Sequence, residues 1–133
     1  MLSIASININ GGFAPIRKTH VKLLFEQRHV DVAFLQDVRC GDTCLAEWQN
    51  TRRGSWFFSS FDCPRAGVAF WLRSKIPSDQ ITFHEVMKGH LAFVVFPYGG
   101  HKVTFLNAYV PSNPSGRKDY FSLLDNCLAQ FDF

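Results

Sequence analysis

Nowhere in these 133 residues does an apolar run approach the ~20 needed to cross a bilayer as a helix, so no membrane partner is expected. The opening Met1-Leu2-Ser3-Ile4-Ala5-Ser6-Ile7 has no basic segment ahead of a long apolar stretch and runs straight into polar Asn8. A secretory leader is therefore not expected. Charge is also sparse, at 19% of residues against 47% hydrophobic, a balance that excludes compositional disorder. Neither sign of charge dominates. A net +3 and a pI near 8.8 permit a phosphate-bearing partner without demanding one. Arg52-Arg53, Arg65, Arg73 and Lys75 read first as solvated charges of loops and strand ends. Cysteine is scarce, and the Cys40/Cys44 pair finds no second ligand pair of matching spacing in Cys63 and Cys127. Reduced thiols of an intracellular protein are the expectation. Repeats, low-complexity tracts and linkers are absent, which leaves residues 1–133 as one domain or part of one.

Aromatic residues, by contrast, are plentiful: 15% of the chain, with 14 Phe, enough for a packed core. Leu2–Ile7 reads as a buried or half-buried strand, Gly11-Gly12 and Pro15 as a loop, and Ile16 to about Arg28 as a helix. Ile16, His20, Leu23, Leu24 and Gln27 form the expected inner side of that helix. Val30–Leu35 is a second strand, and Asp42–Gln49 a short helix capped by Asp42. Five more strands are predicted over Ser55–Phe61, Gly67–Leu72, Ile81–Val86, Leu91–Phe96 and Val103–Leu106. Turns fall at Cys63-Pro64-Arg65, Ser74–Ser78, Lys88-Gly89 and Tyr98-Gly99-Gly100. A closing helix has Asn113 as its cap, Pro114 at its first position, and Tyr120, Phe121, Leu124, Cys127, Leu128 and Phe131 as its apolar stripe. The order predicts a mixed α/β fold whose sheet is parallel at its start and mainly antiparallel later.

Three apolar strands end in polar groups able to do chemistry. They carry Asn8, then Asp37, then Asn107 and Tyr109. The first two strands are joined by a helix in a span suited to a right-handed βαβ unit, so Asn8 and Asp37 are predicted at one sheet edge. Ligands of α/β sheets bind at that edge. Together these residues supply a carboxylate to anchor Mg2+, carboxamides to orient a ligand or water, and a phenol to donate to growing charge on a phosphate. No second carboxylate and no histidine stands at an equivalent strand end, so a general base is unaccounted for. The residue pattern leaves structural roles open as well. Asn8 suits a turn, Asp37 a cap, and Tyr109 an aromatic packing on the loop before Pro111. His20 reads as a core residue, His84 as mid-strand, and His90 as a turn residue. Gly11-Gly12 is no dinucleotide fingerprint, since G-x-G-x-x-G is absent. Trp56, Phe57, Phe58 and Phe61 read as strand core, with base stacking the alternative.

At these same places the chain resembles the endonuclease/exonuclease/phosphatase (DNase I-like) superfamily, most nearly its LINE-type retrotransposon endonuclease domains. Ser6-Ile7-Asn8-Ile9-Asn10-Gly11 is similar to the group's first-strand signature. Phe34-Leu35-Gln36-Asp37 stands at its Gln-Glu motif, with Asp in place of Glu. Ala66-Gly67-Val68-Ala69-Phe70 resembles its Gly-Val-Ala strand, Gly89-His90-Leu91 the Gly that opens the next strand, and Asn107-Ala108-Tyr109-Val110-Pro111 the Asn-x-Tyr-x-Pro motif. The blocks keep family order and spacing along essentially the whole chain.

The resemblance implies half of a four-layer α/β/β/α sandwich, with one mixed, mainly antiparallel sheet and flanking helices. It implies Mg2+, or Mn2+ in its place, held by Asp37 with Asn8, while Asn107 and Tyr109 orient the phosphate. DNA is the implied substrate, nicked by water attack on phosphorus, in the nucleus if the chain is part of a retroelement protein. The superfamily's Asp-x-Asn and Ser-Asp-His motifs find no counterpart before Phe133. The expectation is thus the N-terminal part of a domain, inactive alone. Two alternatives are a non-catalytic remnant that self-associates through an unpaired sheet face, and a phosphatase acting on another phosphoester.

Overall fold

Every residue from Val68 to Leu72 is buried, which a strand achieves only when both its faces are covered. Even-numbered Val68, Phe70 and Leu72 belong to one apolar cluster, and Ala69 and Trp71 to another. In the computed structural model, which describes residues 1–9, 15–39, 53–60 and 66–131, a helix lies on one side of this strand and a second sheet on the other. The predicted Gly11-Gly12 loop, the short helix over residues 42–49, the turn at 63–65, Arg52, Phe61, Cys40, Cys44 and Cys63 lie outside the described residues.

β1 (Ile4–Asn8), α1 (Pro15–Gln27) and β2 (Val32–Gln36) form the expected βαβ unit, with β1 and β2 parallel and Asn8 in register with Gln36. β3 (Gly54–Ser60) and β4 (Gly67–Arg73) complete a four-stranded sheet in the order β1-β2-β4-β3. β5 (Thr82–Met87), β6 (Leu91–Tyr98) and β7 (His101–Ala108) form a separate antiparallel sheet, and α2 spans Pro114–Ala129. The fold class is the expected α/β one, but the strands divide between two facing sheets where the sequence predicted one. The turn from β4 to β5 contains Ile76, only 3% exposed and part of the inter-sheet cluster, which draws the chain across to start the second layer. Phe34 meets Phe105, and Phe57 stacks on Phe83, across the gap. The second sheet and α1 therefore cover much of the first sheet, while Ile4, Ser6 and Asn8 of β1 stay exposed.

α1 turns a different side inward from the one its sequence suggested. Val21 and Phe25 are buried, whereas His20, Leu23, Leu24 and Gln27 face solvent. The aromatic pairing decides the rotation, because Phe25 stacks on Trp71 at 4.8 Å and also meets Trp56. α1 closes with a Schellman turn. His29 takes φ 51° in the place glycine usually fills, and Val30 N donates to Phe25 O at 3.0 Å. α2 is capped by the Asn113 side chain with Pro114 following, as expected. Its buried stripe is narrower than predicted. Tyr120 and Cys127 are buried and Phe131 meets Phe93, but Phe121 and Leu128 remain 48% and 39% exposed. A sheet of three strands offers a helix little breadth. The β6–β7 hairpin turns through Gly99 and Gly100, both at positive φ, the geometry of a two-residue turn.

Arg73 and Lys75 are not loosely solvated. Arg73 donates to Val30 O and Phe25 O and lies 3.6 Å from Asp31, which also pairs with Lys75 at 3.0 Å. Burial works to raise the Asp31 carboxyl, but the Ser3 N–H, Lys75 and Arg73 together hold it below the ordinary carboxylate range. This cluster sits at the start of β2, the opposite end of the strand from Asp37. Trp56, Phe57 and Phe58 are core aromatics, as read from the sequence.

The two sheets are fastened by one buried amide. Asn107, 1% exposed, sends its Nδ2 protons to Leu35 O at 3.1 Å and Ala69 O at 2.9 Å, while its Oδ1 accepts from Gln36 Nε2 at 3.0 Å. Asn107→Ala removes three hydrogen bonds and should destabilise the chain by about 2–4 kcal/mol in urea unfolding. Asn107→Asp keeps the shape but cannot donate, and should cost at least as much. A loss under about 0.5 kcal/mol for both variants would show that the amide does not fasten the sheets.

Candidate active site

Backbone direction reverses where β2 ends. Asp37 and Arg39 both take positive φ, 54° and 49°, a region that costs a non-glycine residue roughly 1–2 kcal/mol and that Asp tolerates better than most. Between them Val38 is fully buried in the cluster under α1 and donates its N–H to Gly67 O at 3.0 Å. Burial of Val38 and that hydrogen bond hold the strained turn. Gly67 packs against it: a Cβ there would meet Arg39 N and Val38 Cβ at an ordinary 3.4 Å, and Ser60 Cβ more tightly at 3.3 Å. The turn puts Asp37 and Arg39 side by side. Arg39 Nε donates to Asp37 Oδ1 at 2.8 Å and its Nη2 to Oδ2 at 3.0 Å, a two-pronged pair. The Arg39 side chain is 46% exposed and that of Asp37 only 7%.

Tyr109 follows the end of β7 and faces the same carboxylate. Burial raises its phenol above the ordinary value, and so do the charge of Asp37 and a hydrogen bond to its carboxylate, with Arg39 opposing. Asp37 in turn raises the Arg39 guanidinium, by hydrogen bond and by charge. Tyr109 is itself fixed by His90. Its N–H donates to His90 O at 2.7 Å, its carbonyl lies 2.9 Å from His90 Nδ1, and the two rings stack at 5.9 Å. Gly89, at φ 78°, shapes the turn before His90 and donates to Ser59 Oγ. These groups open onto a cleft of about 550 Å³ whose lining includes Asp37, Arg39, Lys88, His90, Tyr109 and Asn113.

Of the residues read from the sequence, Asp37 and Tyr109 meet in this cleft. Asn8 closes β1 beside Gln36 at the same sheet edge, exposed and outside the cleft lining. Asn107 lies one layer deeper, its amide engaged by Leu35, Ala69 and Gln36. The sequence reading missed Arg39 and Lys88 and gave His90 only a turn. The spacing Asp37-x-Arg39 just beyond a strand was the one available signal, since residues two apart can share a side.

As a cation site the arrangement has one carboxylate, and both its oxygens are held by a guanidinium. Among the described residues no group of three His, Cys, Asp or Glu gathers around a point. A hard ion that keeps several waters and takes one or two carboxylates fits Asp37 once Arg39 releases it.

Replacing Asp37 by Asn should lower the Tyr109 pKa toward that of an ordinary phenol, because a charge and its hydrogen bond are lost. Titration followed by NMR of the tyrosine ring carbons reads this directly. An unchanged Tyr109 would contradict the contact, and Tyr120, raised by burial alone, should stay where it is.

No family model matches the sequence. A 149 kDa protein of transposon TX1 from Xenopus laevis is 24% identical over 131 residues, which cover 98% of this chain and 10% of that protein. Among solved structures, an AP endonuclease from Archaeoglobus fulgidus superposes with a TM-score of 0.68 at 16% identity, covering 100% of this chain and 53% of that one. The AP endonuclease LMAP from Leishmania major gives 0.69 at 13%, covering 90% and 44%. A 3′ phosphatase, NExo from Neisseria, bound to a product DNA hairpin, gives 0.64 at 16%, covering 96% and 51%. The chain thus spans about half the length of these structures and a tenth of the transposon protein. Motif order, sheet arrangement and superposition agree, and the chain has the DNase I-like fold of the endonuclease/exonuclease/phosphatase proteins, with a transposon protein among its relatives.

Proposed function

We propose that these residues form part of a divalent-metal-dependent phosphodiesterase domain of retrotransposon type, acting on DNA. The observation that carries the reading is the meeting of Asp37 and Tyr109 at one cleft, on a fold shared with nucleases and a DNA 3′ phosphatase. Asp37 anchors Mg2+, or Mn2+, with Asn8 in support. The ion supplies a Lewis acid for the phosphate and a more acidic water. Tyr109, whose phenol is held protonated well past neutrality, donates to charge on a phosphoryl oxygen. Asn107 acts at one remove, since its three hydrogen bonds fix the strand ends from which Asp37 and Tyr109 project. Lys88 and His90 add positive charge and an aromatic surface to the cleft wall. In a transposon setting the substrate is genomic DNA, and the place of action the nucleus.

On this reading the 133 residues do not complete a turnover on their own. Among the described residues no second carboxylate lines the cleft to act as base while Asp37 holds the ion. The test pairs two readouts on the purified chain, with EDTA and Asp37→Ala beside it. Supercoiled plasmid in Mg2+ should be nicked no faster than the Asp37→Ala background. A fluorescent DNA duplex should bind more tightly with Mg2+ than with EDTA, and Asp37→Ala should abolish that gain. Loss of no affinity in Asp37→Ala would sink the anchor assignment, and nicking that needs both Mg2+ and Asp37 would sink the requirement for further residues.

A further inference from the structure

The contact that sets this site apart is the guanidinium seated on the carboxylate. Arg39 engages both oxygens of Asp37, at 2.8 and 3.0 Å, and the pairing is built into the backbone. Positive φ at both positions, with buried Val38 pinned to Gly67 O between them, aims the two side chains the same way. A fork of two parallel N–H donors matches a carboxylate closely. It takes one lone pair on each oxygen, on the side where an ion bridging both oxygens would sit. Asp37 is itself 5% exposed, so without a cation beside it the charge would sit poorly solvated.

From this we infer that Arg39 is a built-in competitor for the cation at Asp37: the guanidinium occupies the carboxylate until a divalent ion displaces it. The inference rests on Asp37 being the cation anchor, and it adds a residue that sets the affinity and selectivity of that anchor. The exchange is open to the side chain. With 46% of its surface in solvent, Arg39 can leave Asp37 without burying an unpaired charge, whereas Asp37 cannot move with it. Displacement leaves the guanidinium in the same cleft, whose lining also includes Lys88. Metal binding there would free a cationic group on the side from which an anionic phosphodiester enters. A monovalent ion, with half the charge, competes poorly against the fork, so the pair selects for divalent cations.

The experiment uses the intact chain and Mn2+ as the probe, its free concentration read from the electron paramagnetic resonance signal of the aquo ion. Arg39→Gln should tighten Mn2+ binding about fivefold, the upper range for a solvent-facing ion pair. Arg39→Lys keeps the charge but loses the fork, and should tighten it by less. A second readout is independent of affinity. Titrating diamagnetic Mg2+ should move the Arg39 Nε–H NMR signal toward that of an unbonded guanidinium and leave Arg73 Nε–H, bonded to Val30 O, in place. If Asp37→Ala abolishes Mn2+ binding while Arg39→Gln leaves it unchanged, the competitor role is overturned and the anchor stands. If Arg39→Lys matches the wild type while Arg39→Gln tightens, bulk charge explains the effect and the competitor role is again overturned. If Asp37→Ala binds Mn2+ as the wild type does, the anchor falls and this inference falls with it.

Discussion

One buried carboxamide sets the geometry on which the rest of the molecule depends. Asn107 has no solvent to satisfy its donors and acceptor, so its position is dictated by the three groups that do: two backbone oxygens on adjacent strands of the first sheet and the amide of Gln36. Apolar packing between the sheets is the larger energy, but it is tolerant of sliding. A hydrogen-bonded amide in the interior is not, because any shift leaves a polar group unpaired at a cost of about 1–3 kcal/mol. The register it fixes places Tyr109, two residues on, against Asp37, which follows Gln36. The spacing of the site thus follows from a polar contact inside an apolar interface.

The second constraint is the turn after β2. Two consecutive needs meet there: Val38 must bury its side chain, and the chain must leave the sheet. Both are met by putting Asp37 and Arg39 in the left-handed region, with the Val38 N–H tied to Gly67 O. The strain of this turn falls on Asp37 and Arg39, the pair to which roles are proposed above, and is held by the buried Val38 between them. Asp37, with a shorter reach than Glu, depends on this turn for where its oxygens lie.

Much of this was legible in the sequence. The strands from Gly54 to Ala108 announced themselves by β-branched and aromatic residues between glycine and proline turns, and Asn113-Pro114 marked the start of α2. The first βαβ unit followed from its length alone. The split into two sheets was not legible, because it turns on Ile76 and on which faces of β4 find partners, and a strand buried on both faces shows no alternation. The rotation of α1 was missed for a related reason. Leu23 and Leu24 outweigh Val21 in a count of apolar positions, yet the stacking of Phe25 on Trp71 decides which side turns in. Within the site, Asp37 and Tyr109 could be chosen from strand ends and motif order. Arg39 was harder to find, because its pairing with Asp37 depends on positive φ at both residues, to which the two-residue spacing is only a weak pointer. Arg73 and Lys75 were read as surface charge because their partner, Asp31, lies more than forty residues earlier in the chain.

The carboxylate at the end of β2, and not Asp31 at its start, is the proposed cation anchor. Both are buried Asp residues beside arginine, so they are the natural competitors. A substoichiometric addition of Mn2+ to isotope-labelled chain, read as paramagnetic broadening residue by residue, separates them most directly. Broadening centred on Asp37, Tyr109 and His90, with Asp31 and Ser3 sharp, is the result expected. Broadening centred on Asp31, or spread evenly over the surface, would contradict the assignment of the site.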